Sequence, residues 1–427
     1  MTNIPAQLDQ NSADQAFAEG VVLRLQQDGH TAFLAGGCVR DKLLGRRPTD
    51  YDVASSARPE QVRQLFGHRN TIAVGAAFGV ITVLGPRGTH AVDVATFRTD
   101  SSYSDGRHPD GVVFSTPEHD AERRDFTING LFLNPTTGEV HDFVGGKNDL
   151  ASGVIRAIGD PTKRFSEDHL RMLRAVRFSA TFNFALHDNT LSAIKAMRHR
   201  VGTVSPERIA HEIRRMFTSP GREKAFDVLL DTELAPEIFP ELWSASTHQA
   251  MKSEWEHASR VIGTLEEPEL GTALAALFET AGEAAMQQAA HRLRLSNRDT
   301  HVSCWLLKGI RYIDAAPTTG LKDMPWSSVQ PWVAHQDASL LIDLMRARAK
   351  YGRGNPENAA WMALQTRKTK DELNPPPILN GNDLISLGIP SGEKIGEVLS
   401  TLRNKQLDGE ITDRDAALRW AAQHAAP

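Results

Sequence analysis

The sequence predicts an α+β chain: a mixed sheet with helices in its N-terminal part, followed by an all-α C-terminal region. Three observations carry that reading. Short runs rich in β-branched and aromatic residues recur between Thr31 and Phe143. From Asp160 onward the strand signals vanish and apolar residues recur at helical spacing. The chain has 427 residues, more than one compact core organises, so roughly two to four domains are expected.

Taken in order, Leu8 to Asp28 reads as a helix with Phe17, Val21, Val22, Leu23 and Leu25 in an apolar stripe, ended by Gly29. Thr31 to Ala35 reads as a first, buried strand, and Val39 to Leu44 as a short helix. Arg58-Pro59-Glu60 begins another helix through Phe66. Phe78 to Leu84 and Ala91 to Phe97 are neighbouring strands of a small sheet. Arg98 to Val113 is polar, glycine-bearing and aperiodic, so it reads as a loop, long enough to suggest a functional, mobile segment. ERRDFTIN, Glu122 to Asn129, leads into a strand at Leu131 to Asn134, and the sheet ends near Val140 to Phe143. RFSEDHLRMLRAVRFSATF then reads as a helix with Ser166 as its N-cap. On it Asp168, Arg171, Arg174 and Arg177 step by three along one face. VSPERIAHEIRRMF, Val204 to Phe217, is a second such helix, with Pro206 in its first turn. Residues 225 to about 370 are further helices, Asn374-Pro375-Pro376-Pro377 a linker, and Ile378 to Ala426 helical again.

Composition is that of a globular protein, 40% hydrophobic and 24% charged. No apolar run is long enough to span a bilayer, and the polar N-terminus lacks the order of a signal peptide, so a soluble cytoplasmic protein is expected, with no membrane partner. Two cysteines, Cys38 and Cys304, exclude a disulfide framework or a cysteine-rich zinc site. The net charge of −5 argues against a strongly basic nucleic-acid coat. Charge is uneven, however: Arg156 to Lys224 carries 14 basic against 7 acidic residues. Such a block binds a phosphate backbone at one place or is simply an arginine-rich helix surface.

The stretch AGGCVRDKLLGRRPTDYDV, Ala35 to Val53, concentrates the chemistry. Residues two apart in a strand point to one side, so Asp50 and Asp52 can present two carboxylates to one point. Two hard oxygen ligands near a glycine turn suit a magnesium-bound triphosphate. Gly36 and Gly37 let the backbone approach phosphate closely, and Arg40 supplies a fixed cation. An Asp-x-Asp pair alone is as readily a solvated turn; the combination suggests nucleotidyl transfer. Asp93, in VDVATFR, is either a third carboxylate beside the pair or a surface residue.

AGGCVRD with the downstream DYD, ERRDFTIN, DPTKRFSEDHLRMLRAVRF and SPERIAHE, in that order, resemble the tRNA nucleotidyltransferase and poly(A) polymerase family of the bacterial, class II type. The tail ILNGNDLISLGIPSGEKIGEVL is similar to that family's C-terminal segment. The resemblance implies a palm-like nucleotidyltransferase sheet that joins a nucleoside monophosphate to an RNA 3′ hydroxyl with release of pyrophosphate. It implies Mg²⁺ held by Asp50 and Asp52, with Asp93 in the place of a third catalytic carboxylate that is often Glu in relatives. Gly36, Gly37 and Arg40 would contact the triphosphate, and Arg123, Arg124, Asp125 and Asn129 match the ribose motif, where Asp125 can test for a 2′ hydroxyl. Asp168 and Arg171, with Arg174 and Arg177 along the same face, would read the base. Asp168 only accepts and Arg171 only donates hydrogen bonds, which suits the amino group and ring nitrogen of C and A and mismatches U and G. An intrahelical Asp168–Arg171 salt bridge is the structural alternative.

Partners implied are CTP, ATP and the tRNA 3′ end; the oligomeric state stays open. The segment RTDSSYSDGRHP, with Arg98, Tyr103, Asp105 and Arg107, is similar to the full mobile loop of enzymes able to add A, and VGAAFGVITV has the form seen in tRNA enzymes. CCA addition is therefore the first expectation, A addition alone the second and poly(A) synthesis the third, with an inactive tRNA-binding protein as the non-enzymatic alternative. The expected division is 1–150 nucleotidyltransferase head, 151–224 helical neck, 225–373 helical body and 374–427 helical tail. Within the body, SEWEHASRVIGTL and ALAALFETAGE resemble a metal-dependent phosphohydrolase (HD) domain. His257 stands at one ligand position, but Glu279-Thr280 replaces the His-Asp pair, so a structural remnant without hydrolase activity is expected.

Overall fold

The computed structural model describes residues 4–100, 111–243, 248–266 and 268–424. They divide into two compact units, Met1–Pro240 and Glu241–Pro427. The first opens with helix α1, Ile4–Gln27. Ala18, Val21, Val22 and Leu25 form its buried stripe. Leu23 falls outside it, 44% exposed, because two residues from Val21 is about 200° around a helix. Gly29, at φ 87°, ends the run where the left-handed region favours glycine.

The strands are β1 Ala32–Ala35, β2 Asp52–Ser55, β3 Thr71–Ile72, β4 Val80–Val83, β5 Val92–Thr96, β6 Arg98–Asp100, β7 Val112–Phe114, β8 Leu131–Leu133 and β9 Val140–Asp142. Seven of them form one mixed sheet in the order β3-β4-β5-β2-β1-β8-β9. β2 and β5 are parallel and the other neighbours antiparallel. Central β1 is buried at all four residues, as a strand covered on both faces must be. On one face Phe33, Phe97 and Phe132 pack with ring centroids 6.0 to 6.2 Å apart. Removing such a ring costs about 3–5 kcal/mol, and a one-residue slip would turn Phe33 to the wrong face. The aromatic cluster therefore fixes the register that sets Ala35 beside Asp52 and Asp52 beside Asp93.

The expected strand through Asp50 is corrected by that register. β1 stops at Ala35, which pairs with Asp52, and Gly36 then turns away, so Asp50 has no strand to pair with and lies in the lead-in to β2. The Arg98 to Val113 segment is also more ordered than a loop at its ends. β6 and β7 pair antiparallel, Arg98 opposite Phe114 and Asp100 opposite Val112. Tyr103, Asp105 and Arg107 lie outside the described residues.

Helices α2 Gly37–Leu43, α3 Pro59–Phe66, α4 Pro117–Glu122 and α5 Gly146–Ser152 surround the sheet, and α6 Pro161–Glu167, α7 Leu170–Phe182, α8 Asp188–Met197, α9 Pro206–Phe217 and α10 Arg222–Asp231 follow it. Two short strands interrupt this helical part: β10 Val154–Ile155 pairs in parallel with β11 Ala185–Leu186. The single helix expected across RFSEDHLRMLRAVRF is two. Asp160, not Ser166, caps α6, accepting from the Thr162 N–H at 2.9 Å; Ser166 sits inside it and donates to the Thr162 carbonyl at 2.8 Å. The chain breaks at Asp168 (φ −151°, ψ 106°) and restarts as α7. That helix buries Leu170, Met172, Leu173, Val176 and Phe178 and packs on α9 and α10.

In the second unit, Leu270–Leu277 is buried at every residue and packs on Asn297–Asp314. Directly after it, Glu279 accepts from Arg348 at 3.0 and 2.7 Å, and the same guanidinium reaches Asp314 at 3.3 and 2.7 Å. His257 is buried, and burial, then Arg353, lowers its pKa and favours the neutral ring. Residues 374–380 lack regular structure, and helices Gly381–Ser386, Glu393–Leu407 and Arg414–His424 close over a small core including Leu384, Leu402 and Ala417.

Candidate active site

A cleft of about 740 Å³ in the first unit is lined by Gly36, Gly37, Arg40, Asp50, Asp52, Arg123, Arg124, Asp125, Asn129, Asp168, Arg171, Arg174 and Arg177. All the proposed site residues except Asp93 are therefore brought together. Its floor is the strand-to-helix turn after β1. Gly36 adopts φ 72°, ψ −125°, and a Cβ there would sit 2.8 Å from Nη1 of Arg124. The conformation requires glycine, and a Cβ would also displace the end of Arg124. Cys38, in α2, lies behind the turn; burial pushes its thiol up to about 11.

Asp50 and Asp52 both open onto the cleft. Asp52 is solvent-reachable, yet its carboxyl is pushed up to about 6. Desolvation among close neighbours is the main cause, followed by the negative field of Asp50; Arg124 opposes and Asp93 adds. Two hard carboxylates that repel one another are a donor set for a divalent cation. Mg²⁺ in particular takes one or two carboxylates and keeps substrate oxygens and water for the rest. Among the described residues no three acidic, His or Cys side chains gather as a ligand set. Asp93 stands beside Asp52 in register, but its Oδ1 accepts from Thr82 Oγ1 at 2.5 Å.

The motif arginines of the cleft are held, not free. Arg40 is buried, donates from Nη1 to Asn129 at 2.6 Å and from Nε to Asp41 at 2.9 Å, and lies 4.5 Å from the Phe182 ring centroid. Arg123 and Arg124 share Asp120, a fully buried carboxylate in α4. Arg123 reaches Oδ1 at 2.9 and 2.7 Å, Arg124 reaches Oδ2 at 3.2 and 3.0 Å. Burial alone would raise the Asp120 carboxyl; Arg124 and Arg123 outweigh it and hold it below the usual range.

Asp125, expected to accept a ribose hydroxyl, is engaged at every acceptor position. Oδ1 takes the Phe126 N–H at 2.8 Å and Asn129 Nδ2 at 3.0 Å; Oδ2 takes Arg174 Nε and Nη2 at 2.9 and 2.6 Å. A carboxylate offers about four such positions, so a hydroxyl can bind only in exchange for one of these bonds. Burial would raise this carboxyl, but Arg174 and Asn129 hold it well below the usual range.

Asp168 and Arg171 face the cleft without their side chains pairing with each other, so the intrahelical salt bridge is excluded. Asp168 is outside the helix, and accepts from Arg208 of α9 at 3.2 and 2.7 Å; Arg171 donates to Glu167 at 2.5 Å and to the Arg164 carbonyl at 2.9 Å. All four charged residues face the cleft, as their spacing suggests, but each has its own partner: Arg174 goes to Asp125 and Arg177 to Glu212, both at 2.6 Å. Burial pulls Arg177 down to about 10 against the opposing Glu212.

Asp120, Glu167, Arg208 and Glu212 are the residues that sequence reasoning left without a role. The signals were present: Asp120 precedes Arg123 and Arg124 by three and four, the helix-neighbour spacings, and Arg208 and Glu212 are the charges of SPERIAHE. Arg46, Arg47 and Arg215 also line the cleft.

The family described as "Poly A polymerase head domain" matches residues 32–156, and that described as "Probable RNA and SrmB-binding site of polymerase A" matches residues 183–246. A CCA-adding enzyme from Lactobacillus helveticus is 42% identical over 219 residues, about half of each chain (51% and 54%). That from Lactobacillus johnsonii is 30% identical over 93% of this chain and 94% of its own. That from Geobacillus stearothermophilus is 30% identical over 94% and 95%. The solved structure of the Bacillus stearothermophilus CCA-adding enzyme in complex with CTP is 26% identical, covers 96% of both chains and gives a TM-score of 0.71. A Thermotoga maritima CCA-adding enzyme complexed with tRNA, 23% identical at TM-score 0.67, shares the fold. Identity sustained along almost the whole of both chains, over a cleft built from the same motifs that first suggested nucleotidyl transfer, shows that the protein belongs to the family of CCA-adding enzymes.

Proposed function

We propose that this chain adds C and A to the 3′ end of tRNA from CTP and ATP, without a nucleic-acid template, in the cytoplasm. One observation supports the reading: the carboxylates Asp50 and Asp52, the arginines Arg40, Arg123 and Arg124, and the candidate base readers Asp168 and Arg171, each held by its own partner, line one cleft. Asp50 and Asp52 would hold Mg²⁺, which when bound activates the attacking hydroxyl and offsets charge on the leaving pyrophosphate. Arg40, Arg123 and Arg124, fixed by Asn129, Asp41 and Asp120, meet phosphate charge without reorganising. Asp168 accepts from the amino group of C or A while Arg171 donates to the adjacent ring nitrogen. U and G offer a carbonyl and an N–H in those places, and each mismatched buried group costs about 1–3 kcal/mol.

The test is transfer with each of the four triphosphates on tRNAs ending before CCA, after one C and after CC. Addition of C, C and then A is expected. Incorporation of A alone onto the CC end, or of an A run, would replace this reading with A addition or poly(A) synthesis.

A further inference from the structure

The Asp168 side chain is held chiefly from α9. It sits at the break between α6 and α7, where its backbone is extended and its carbonyl accepts the Arg171 N–H at 3.0 Å. Three donors fix its carboxylate: Arg208 Nη2 to Oδ2 at 2.7 Å, Arg208 Nη1 to Oδ1 at 3.2 Å, and the Leu170 N–H at the start of α7 to Oδ1 at 3.0 Å. Of about four acceptor positions on a carboxylate, one remains, on Oδ2. Arg208 itself lies in the first turn of α9, where the helix dipole disfavours a cation. A tertiary partner explains its presence there.

We propose that Arg208 is a specificity-determining positioning residue. Its planar fork fixes the Asp168 carboxylate so that a single acceptor direction meets the base, the direction of the amino group shared by C and A. This inference rests on the base-reading role proposed for Asp168. The terminal torsion of Asp is broad, so a carboxylate released from the fork can pivot. It can then accept from the ring N–H of U or G, one of the two groups that mark those bases as wrong. Arg208 therefore acts on the ratio of right to wrong nucleotide. A lysine carries the charge but not the two-armed geometry, so charge alone does not replace it.

The experiment compares Arg208→Ala, Arg208→Lys, Asp168→Ala and the Arg208→Ala/Asp168→Ala double variant. Each is assayed for incorporation of C against U and of A against G, with tRNA affinity and thermal melting measured in parallel. The preference for C and A falls roughly tenfold in Arg208→Ala, the worth of one well-directed hydrogen bond. Arg208→Lys behaves like Arg208→Ala, tRNA affinity is unchanged, and the double variant matches Asp168→Ala. If Arg208→Ala folds poorly, Arg208→Lys measured below its melting transition carries the same test. An intact preference in Arg208→Ala overturns the inference. So does weakened tRNA binding with preference retained, which would make Arg208 an RNA phosphate contact, and so does full rescue by lysine. An Asp168→Ala enzyme with undiminished preference would instead remove the base-reading role itself.

Discussion

At the scale of single residues, the cleft spends stability on readiness. The folded chain raises the pKa of Asp52 from 3.8 to about 6, so the folded state binds a proton more readily than the unfolded one. Ionising Asp52 therefore costs nothing below pH 3.8, costs progressively more up to about 6, and costs its full amount above that. Solvent access keeps the amount modest. Asp52→Asn is expected to raise the melting temperature at pH 7.5 in EDTA and to leave it unchanged at pH 3.5, while abolishing transfer. Mg²⁺ should raise the wild-type melting temperature more than that of the variant; equal shifts would place the cation elsewhere. Asp120 makes the opposite contribution, as the buried countercharge of Arg123 and Arg124. Removing one partner of such a group costs about 3–5 kcal/mol, so Asp120→Ala should melt lower and raise KM for CTP and ATP. In an Arg124→Ala background the KM effect should shrink, since Asp120 would have one less guanidinium to hold. Additive KM effects would argue that Asp120 does not act through Arg124.

At the scale of elements, the junctions are where function sits and where the sequence was hardest to read. Strands β1, β4, β5, β8 and β9 and helix α3 follow from apolar or β-branched runs and the Arg58-Pro59 start, and match to within a few residues, whereas the two-residue β3, β10 and β11 are too short to leave a periodic signal. The break at Asp168 carries neither Gly nor Pro, and the helical spacing of apolar residues continues through it. Its local cause is the Asp168 side chain accepting the N–H two residues on, which mimics a turn. Only the tertiary partner Arg208, forty residues downstream, makes that choice matter. The β6–β7 ribbon was hidden for a related reason: its pairing joins residues separated by a polar stretch. The turn after β1 was legible as glycine, but not the occupant that requires it. Gly36→Ala, forced into a backbone region that suits only glycine and against Arg124, should cost about 1–3 kcal/mol from strain. It should also lower kcat by displacing that arginine. A variant that melts lower but keeps wild-type kcat would show that the arginine re-seats.

At the scale of the molecule, every residue lining the cleft belongs to Met1–Pro240. Amide exchange protection on adding CTP with Mg²⁺ should fall within that unit, amounting to about 2.7 kcal/mol at a hundredfold excess over Kd. The second unit has its own buried charge centre. Arg348, 3% exposed at its side chain, lies between Glu279 and Asp314, so a cationic group of the chain itself neutralises both carboxylates. Arg348→Ala should destabilise residues 270–350 by about 3 kcal/mol, the low end for a broken buried pair because Asp314 is partly exposed. Exchange unchanged there would mean the two carboxylates find other partners. Finally, both native thiols are buried, and burial drives each of them toward the protonated form. Reagents that attack thiolate pass them by at neutral pH. A single cysteine at Val113, 63% exposed on β7, would thus take a fluorophore at one place without deleting either native residue.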